Sequence, residues 1–144
     1  MNLSKAGKVT RLMSAVAAGT TDQNSSSVDM SGYNAVQFVT AVGAITSSAV
    51  TSAHVASSSD DSTFNDLTGT SISIADSDDN QVTVHDIIYP LERYLRVEID
   101  RGTANAVIDG VFAIQYNADI EPVTHDSSTV VGSELHVSPT EGTA

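Results

Sequence analysis

Apolar and polar side chains alternate with period two in several short windows, whereas after residue 18 no window repeats apolar residues at helical spacing. The clearest window runs from Arg93 to Asp100, where Leu95, Val97 and Ile99 alternate with charged or aromatic residues. Successive side chains of a strand point to opposite faces, so this window predicts a half-buried strand with a charged outer face.

Further strands are predicted at 33–42, 50–56, 63–67, 72–74, 82–88 and 106–116. The segment 33–42 is apolar on both faces, which favours a central strand. In the last segment one face is predicted to hold Ala106, Ile108, Gly110, Phe112, Ile114 and Tyr116. Many short strands separated by polar turns are typical of a sandwich or jelly roll.

The predicted fold is therefore all-β: a single β-sandwich resembling a jelly roll, over residues 19–117, with an extended N-terminal arm and C-terminal tail. The apolar residues of 1–18 could form the stripe of a helix, but Val9–Thr10 and the break at Gly19 also suit an arm or an edge strand, and we favour an arm that enters a strand. Residues 118–144 scatter aliphatic side chains without a period, and we expect this tail to dock on the domain or on a neighbour.

Charge and composition exclude several functions. The 144 residues include 6 Lys and Arg against 18 Asp and Glu, a formal net charge of −12, and no cysteine. So few basic residues cannot neutralise many phosphates, and no apolar run reaches the length of a membrane span. We expect neither nucleic acid nor a membrane as a partner, and thiol chemistry is excluded.

Catalytic motifs are not evident. His85–Asp86 and His125–Asp126 are adjacent pairs, but neighbours on a strand point to opposite faces, and no G-x-S-x-G is present. We expect no enzymatic activity and no catalytic residue.

Metal motifs fail similarly. The acidic run 76–80 offers hard oxygen donors, but the EF-hand pattern would need glycine at Gln81 and glutamate at Ile87. The four histidines lack zinc-binding spacing. Solvated turns are the expected role of these acidic runs, with no metal and no cofactor.

The basic residues fall into two groups, at 5, 8 and 11 and at 93, 96 and 101. This asymmetry predicts contact with an acidic partner or another copy of the chain. Alternatively, the second group simply pairs with Glu92, Glu98 and Asp100. The candidate contact residues are Lys5, Lys8, Arg11, Leu12, Arg93, Arg96, Arg101, Val130, Val131, Leu135 and Val137.

Four segments carry a family resemblance: Gly32 to Val39, Ala53 to Leu67, Tyr89 to Val97 and Ala104 to Gly110. Together they resemble the head decoration, or cement, proteins of tailed bacteriophages, over roughly residues 30–117, and the ending 138–144 is similar in style.

This resemblance implies a non-enzymatic virion protein, made in the host cytoplasm, that binds the outer surface of a mature capsid and stabilises it. Its partners would be the major capsid protein and other copies of itself, and the resemblance implies a trimer. A phage tail or neck protein is one alternative. A carbohydrate-binding or adhesive module is another, although the chain has no Trp and only four Tyr for a sugar platform.

Overall fold

The computed structural model describes residues 2–143, which form two antiparallel sheets preceded by one short helix at the N-terminus. The elements are α1 (Leu3–Ala6), β1 (Lys8–Met13), β2 (Val16–Gly19), β3 (Gln23–Asn24), β4 (Val28–Asp29), β5 (Tyr33–Ile45), β6 (Thr51–Ser58), β7 (Asn65–Asp66), β8 (Ile72–Ile74), β9 (Val82–Ile88), β10 (Tyr94–Arg101) and β11 (Ala106–Ala118). No helix within residues 2–143 is long and apolar enough to cross a membrane.

The strand order is that of a jelly roll. In the first sheet β1 and β2 share one edge, followed by β11, β5 and β9. In the second sheet β3 and β4 share one edge, followed by β10, β6 and then β7 and β8. Each pair that shares an edge, β1 with β2, β3 with β4 and β7 with β8, can be treated as one interrupted strand, which leaves eight strands. Renumbered from 1 to 8 in chain order, these strands have the sheet orders 1-8-3-6 and 2-7-4-5, the arrangement of two Greek keys rolled together. The all-β sandwich prediction is confirmed.

The N-terminal segment takes the edge-strand alternative. β1 pairs with β11 from Lys8 opposite Gln115 to Met13 opposite Val111, and β2 continues along the same strand. Leu12 is 6% exposed and belongs to the core. Residues 8–13 and 16–19 are therefore strands of the first sheet, so strand pairing begins before residue 19, the start of the predicted body.

The core lies between the inner faces of the two sheets, where Phe38, Leu95, Ile99 and Ile108 are fully buried. The alternation predicted for β10 is confirmed, because Leu95, Val97 and Ile99 are all 0% exposed and their neighbours face outward.

The single face predicted for β11 is wrong. Its register with β5 shifts twice, between Ala106 and Ile108 and between Ile108 and Gly110. An irregularity that adds one residue reverses which side chains face the core. The side chains of Ala106 and Ile108 consequently point inward, whereas those of Phe112, Ile114 and Tyr116 point outward.

The described tail, residues 119–143, contains no helix or strand, and its first part docks on the N-terminal segment. The backbone N–H of Val123 donates to the carbonyl of Lys5 at 2.8 Å. His125 accepts from the N–H of Val9 through Nδ1 at 3.2 Å and donates to the carbonyl of Ser4 through Nε2 at 3.2 Å. The expected docking on the domain therefore holds for the start of the tail.

Candidate assembly surface

Apolar side chains cover most of the outer face of the first sheet, which is interrupted by Gln37 of β5 opposite Asp86 of β9. Across the sheet, Phe112 of β11 lies opposite Val39 of β5, which lies opposite Val84 of β9. The same face also carries Val9, Val82, Ile88 and Ile114. Val82, Val84 and Ile88 are 57%, 48% and 56% exposed. We call these seven residues the apolar face; a sheet face turned to water is normally polar.

β9 is responsible for much of this exposure, because its polar residues point inward. Thr83 and His85 are buried between the sheets while the intervening valine faces out. His85 Nε2 donates to the carbonyl of Thr70 at 2.8 Å. Burial lowers the pKa of the His85 imidazole, so the interior favours its neutral form.

Two polar groups flank the apolar face at opposite edges. On β1, the Arg11 guanidinium lies 5.9 Å from the centre of the Phe112 ring. On β9, Asp86 accepts a hydrogen bond from the Tyr116 hydroxyl at 2.6 Å, which raises the pKa of Tyr116 to about 12. One edge of the face thus carries a cation and the other an anion.

Helix α1 extends the surface towards the tail. Leu3 is 55% exposed and lines one cleft with Ile114 and Tyr116. It lines a second cleft with Val9 and Val130, where the docked part of the tail passes. The apolar face is therefore continuous with apolar residues of both termini.

The outer face of the second sheet is charged. Arg96 pairs with Glu98 along β10 at 2.6 Å, and its guanidinium lies 3.9 Å from the centre of the Phe64 ring. His54, Asp66 and Asp100 complete this surface.

The predicted basic contacts have different environments. Lys5 and Arg11 are exposed and Lys8 is half-buried, with its Nζ 5.8 Å from the centre of the Tyr33 ring. Arg93 forms a salt bridge with Asp29 at 2.7 Å rather than with Glu92, and its hydrogen bond lowers the pKa of Asp29.

Arg96 takes the alternative of pairing with Glu98. Arg101 is 4% exposed, and its side chain donates to the carbonyls of Thr21, Ala17 and Ala106 at 2.6, 2.9 and 2.9 Å. Arg101 thereby ties β10 to the first sheet.

Arg101 and Leu12 are corrections to the predicted contacts, because both side chains are buried within the domain. Among the tail candidates, Val130 is half-buried in the docked part, whereas Val131, Leu135 and Val137 are 109%, 49% and 95% exposed. The exposed three remain available to a neighbour.

The acidic runs form hydrogen bonds within turns. Asp79 and Asp76 accept from the N–H groups of Ile45 and Ser48 at 2.6 and 2.7 Å. Asp60 accepts from the N–H groups of Ser62 and Thr63 at 3.0 and 2.9 Å, which lowers its pKa. The turn role expected for these carboxylates agrees with these contacts.

The two adjacent histidine–aspartate pairs do not form catalytic dyads within the described residues. His85 points into the core and Asp86 to the outer face, while His125 holds the tail and Asp126 accepts from the N–H of Ser128 at 2.8 Å.

Sequence reasoning missed the apolar face. The signal that would have found it is β9, where Val82, Val84 and Ile88 share one side and Thr83 and His85 the other. Taken by itself, the pattern of β9 would predict that its apolar side faces the core. Only the pairing with β5 shows that this side faces outward.

The fold has a counterpart among solved structures. The crystal structure of the PBSX exported protein XepA matches 94% of this chain with a TM-score of 0.55 and 16% sequence identity. The chain spans 45% of XepA. At this identity the match shows a shared fold. The sequence matches no known protein family and no curated protein.

Proposed function

We propose that this chain is a non-enzymatic structural protein of a phage virion, which binds the outer surface of the mature capsid as a homo-oligomer and stabilises it. The observation that carries the proposal is the apolar face, a largely apolar surface on an otherwise hydroxyl-rich, acidic domain. Contiguous exposed apolar patches rimmed by polar residues are typical of protein–protein contacts.

The proposed occupant of the apolar face is a second copy of this chain. Arg11 and Asp86 lie at opposite edges of the face, so where the apolar faces of two copies overlap, Arg11 of one copy can meet Asp86 of the next. A head-to-tail contact of this kind generates a ring when its rotation closes. A trimer is the ring that the resemblance to decoration proteins implies.

The exposed end of the tail suits the same assembly. Val131, Leu135 and Val137 lie beyond the part that docks on the N-terminal segment, and their apolar area gains stability only when a neighbour covers it. Lys5, beside the start of the tail, offers a cation to an acidic capsid surface.

The capsid location rests on the resemblance to head decoration proteins, and the phage association has separate support from the fold. The structural neighbour XepA is an exported protein of PBSX, a phage. Many equivalent lattice sites would turn weak contacts of single subunits into tight binding by the oligomer.

Self-association is tested with two lysine substitutions that differ only in the surface they charge. Val84→Lys places a cation on the β9 side of the apolar face, whereas Thr63→Lys places one in an exposed loop of the second sheet. Sedimentation velocity should give an oligomer for the wild type and Thr63→Lys, and a monomer for Val84→Lys.

An oligomer that survives Val84→Lys would overturn the self-contact. A wild-type monomer whose capsid binding is abolished by Val84→Lys would instead make the capsid protein the occupant.

Capsid binding is tested by sedimenting each protein with mature phage heads that lack it, followed by imaging. We expect saturable binding on the outer shell for the wild type and Thr63→Lys. Density on tails or necks would support the tail alternative, and binding to glycans but not to heads would support an adhesive module; either result overturns the decoration proposal.

A further inference from the structure

The outer face of the second sheet brings together an imidazole and two carboxylates from three strands. His54 of β6 and Glu98 of β10 are direct partners in the register. Asp66 of β7 reaches the same imidazole from the other side of β6. We infer that His54, Asp66 and Glu98 bind a divalent transition-metal ion of the zinc type.

The distances fit such an ion. His54 Nε2 lies 3.3 Å from Asp66 Oδ1 and 3.6 Å from Glu98 Oε2, and the three ligand atoms lie within 4.8 Å of one another. In a tetrahedral zinc site with bonds of about 2.0–2.2 Å, neighbouring ligand atoms are separated by about 3.3–3.6 Å. Small side-chain rotations of the exposed Asp66 complete the arrangement.

Each of the two less exposed ligands has an outer partner on the side away from the centre. Asp100 Oδ2 lies 3.5 Å from His54 Nδ1 and itself accepts from Ser52 Oγ at 3.1 Å. Arg96 donates twice to Glu98 Oε1, at 2.8 and 2.6 Å. Carboxylates on the far nitrogen of a metal-bound histidine are a common feature of zinc sites, because they orient the ring.

The atom at the centre has no other partner. The His54 side chain is 12% exposed, and its Nε2 is buried without a hydrogen bond. When Nδ1 carries the proton towards Asp100, the Nε2 lone pair points at two carboxylate oxygens, and a metal ion bound between them would stabilise this arrangement. An imidazole with two carboxylates suits zinc better than calcium or magnesium, which prefer oxygen ligands alone.

Asp66 is 74% exposed, so the fourth position of the ion faces solvent and takes water. A bound ion would fix the two-residue strand β7 to β6 and β10. The inference is independent of the assembly surface, which lies on the other sheet.

The test is a titration of chelator-treated full-length protein with ZnCl2, followed by calorimetry and thermal unfolding. We expect one ion per chain and a raised melting temperature. His54→Ala should abolish binding, and Asp66→Asn and Glu98→Gln should each weaken it at least tenfold. The matched control is His136→Ala, which removes an exposed histidine beside Glu134 and should bind zinc as the wild type does.

A second readout is Co²⁺, whose visible absorption reports nitrogen and oxygen ligands in four-coordinate geometry. Absence of saturable binding, or a His54→Ala variant that binds with wild-type affinity, would overturn the site. A wild type that gives no zinc response would leave His54 as a partner of the carboxylates alone, which equally refutes the metal inference.

Discussion

On the outer face of the first sheet Phe112, Val39 and Val84 lie side by side, whereas the corresponding rows of the second sheet hold Glu98 and His54. The two faces belong to the two antiparallel sheets, which share one core. The second face can remain in water, because its charges are solvated or paired. The first face exposes area that becomes favourable only when another surface covers it.

The difference would place the proposed self-contact and the proposed ion site on opposite sides of the domain. The core is filled by the inner faces of both sheets and does not need the apolar face for its own burial. The retained apolar side chains are therefore best explained by an intermolecular contact, and the charged side by contact with solvent and ions.

The comparison depends on β1 being an integral strand of the first sheet, because β1 brings Val9 and Arg11 to the apolar face. Leu12→Ala should lower the free energy of unfolding by about 2–5 kcal/mol, the cost of deleting a buried leucine side chain. Leu135→Ala, in the exposed tail, should change it by less than about 0.5 kcal/mol. Urea denaturation of both variants measures the two values; equal effects would mean that the N-terminal segment does not belong to the core.

Added salt should affect interactions on the two faces in opposite directions, and this effect should be smaller than that of Leu12→Ala. Copies with a net charge of −12 repel one another, so added salt should strengthen self-association through the apolar face several-fold. The Arg96–Glu98 pair on the other face would weaken under the same conditions. Sedimentation equilibrium at low and high NaCl measures the dissociation constant. Association that weakens with salt would show that charge pairs such as Arg11 and Asp86, rather than the apolar side chains, dominate the contact.

The pH dependence of stability tests the inverted arrangement of β9. The buried His85 has a lowered pKa, so below the ordinary histidine pKa of about 6.5 the unfolded chain binds a proton that the folded chain does not. The free energy of unfolding should therefore fall as the pH drops from 7 to 5, and fall less in His85→Gln. Asp29 and Asp60, whose pKa values are also lowered, lose their contribution only at more acidic pH.

Denaturant unfolding at pH 8, 7, 6 and 5 measures this effect. At pH 8 the His85 imidazole is neutral in both the folded and the unfolded chain. The difference in free energy of unfolding between the wild type and His85→Gln at this pH is therefore the reference value. Parallel curves from pH 7 to 5 would show that His85 takes up its proton equally in both states, and the inward position of His85 would then be wrong.

Part of the candidate surface was accessible from sequence. The tail residues Val131, Leu135 and Val137 stood out as aliphatic side chains without a period, and they are exposed. Arg93, Arg96 and Arg101 looked equivalent in sequence, but one pairs with Asp29, one with Glu98 and one is buried against backbone carbonyls. Glu98 lies two residues from Arg96 on the same strand, and sequence offered that pairing. Asp29 and the carbonyls of Thr21 and Ala17 are distant in sequence, so local sequence carries no information about how Arg93 and Arg101 are held.

The sequence by itself determined the strands from β5 to β11 and the sandwich, because strand alternation and polar turns are local properties. β10 lies with Leu95, Val97 and Ile99 inward as its pattern requires. Only the tertiary structure decided which way β9 and the second half of β11 face. The register shifts before Gly110 turn Phe112 outward, and pairing with β5 fixes Val84 beside Val39. Strand pairing also assembled His54, Asp66 and Glu98, since long-range register and not sequence spacing sets the distance between side chains on neighbouring strands.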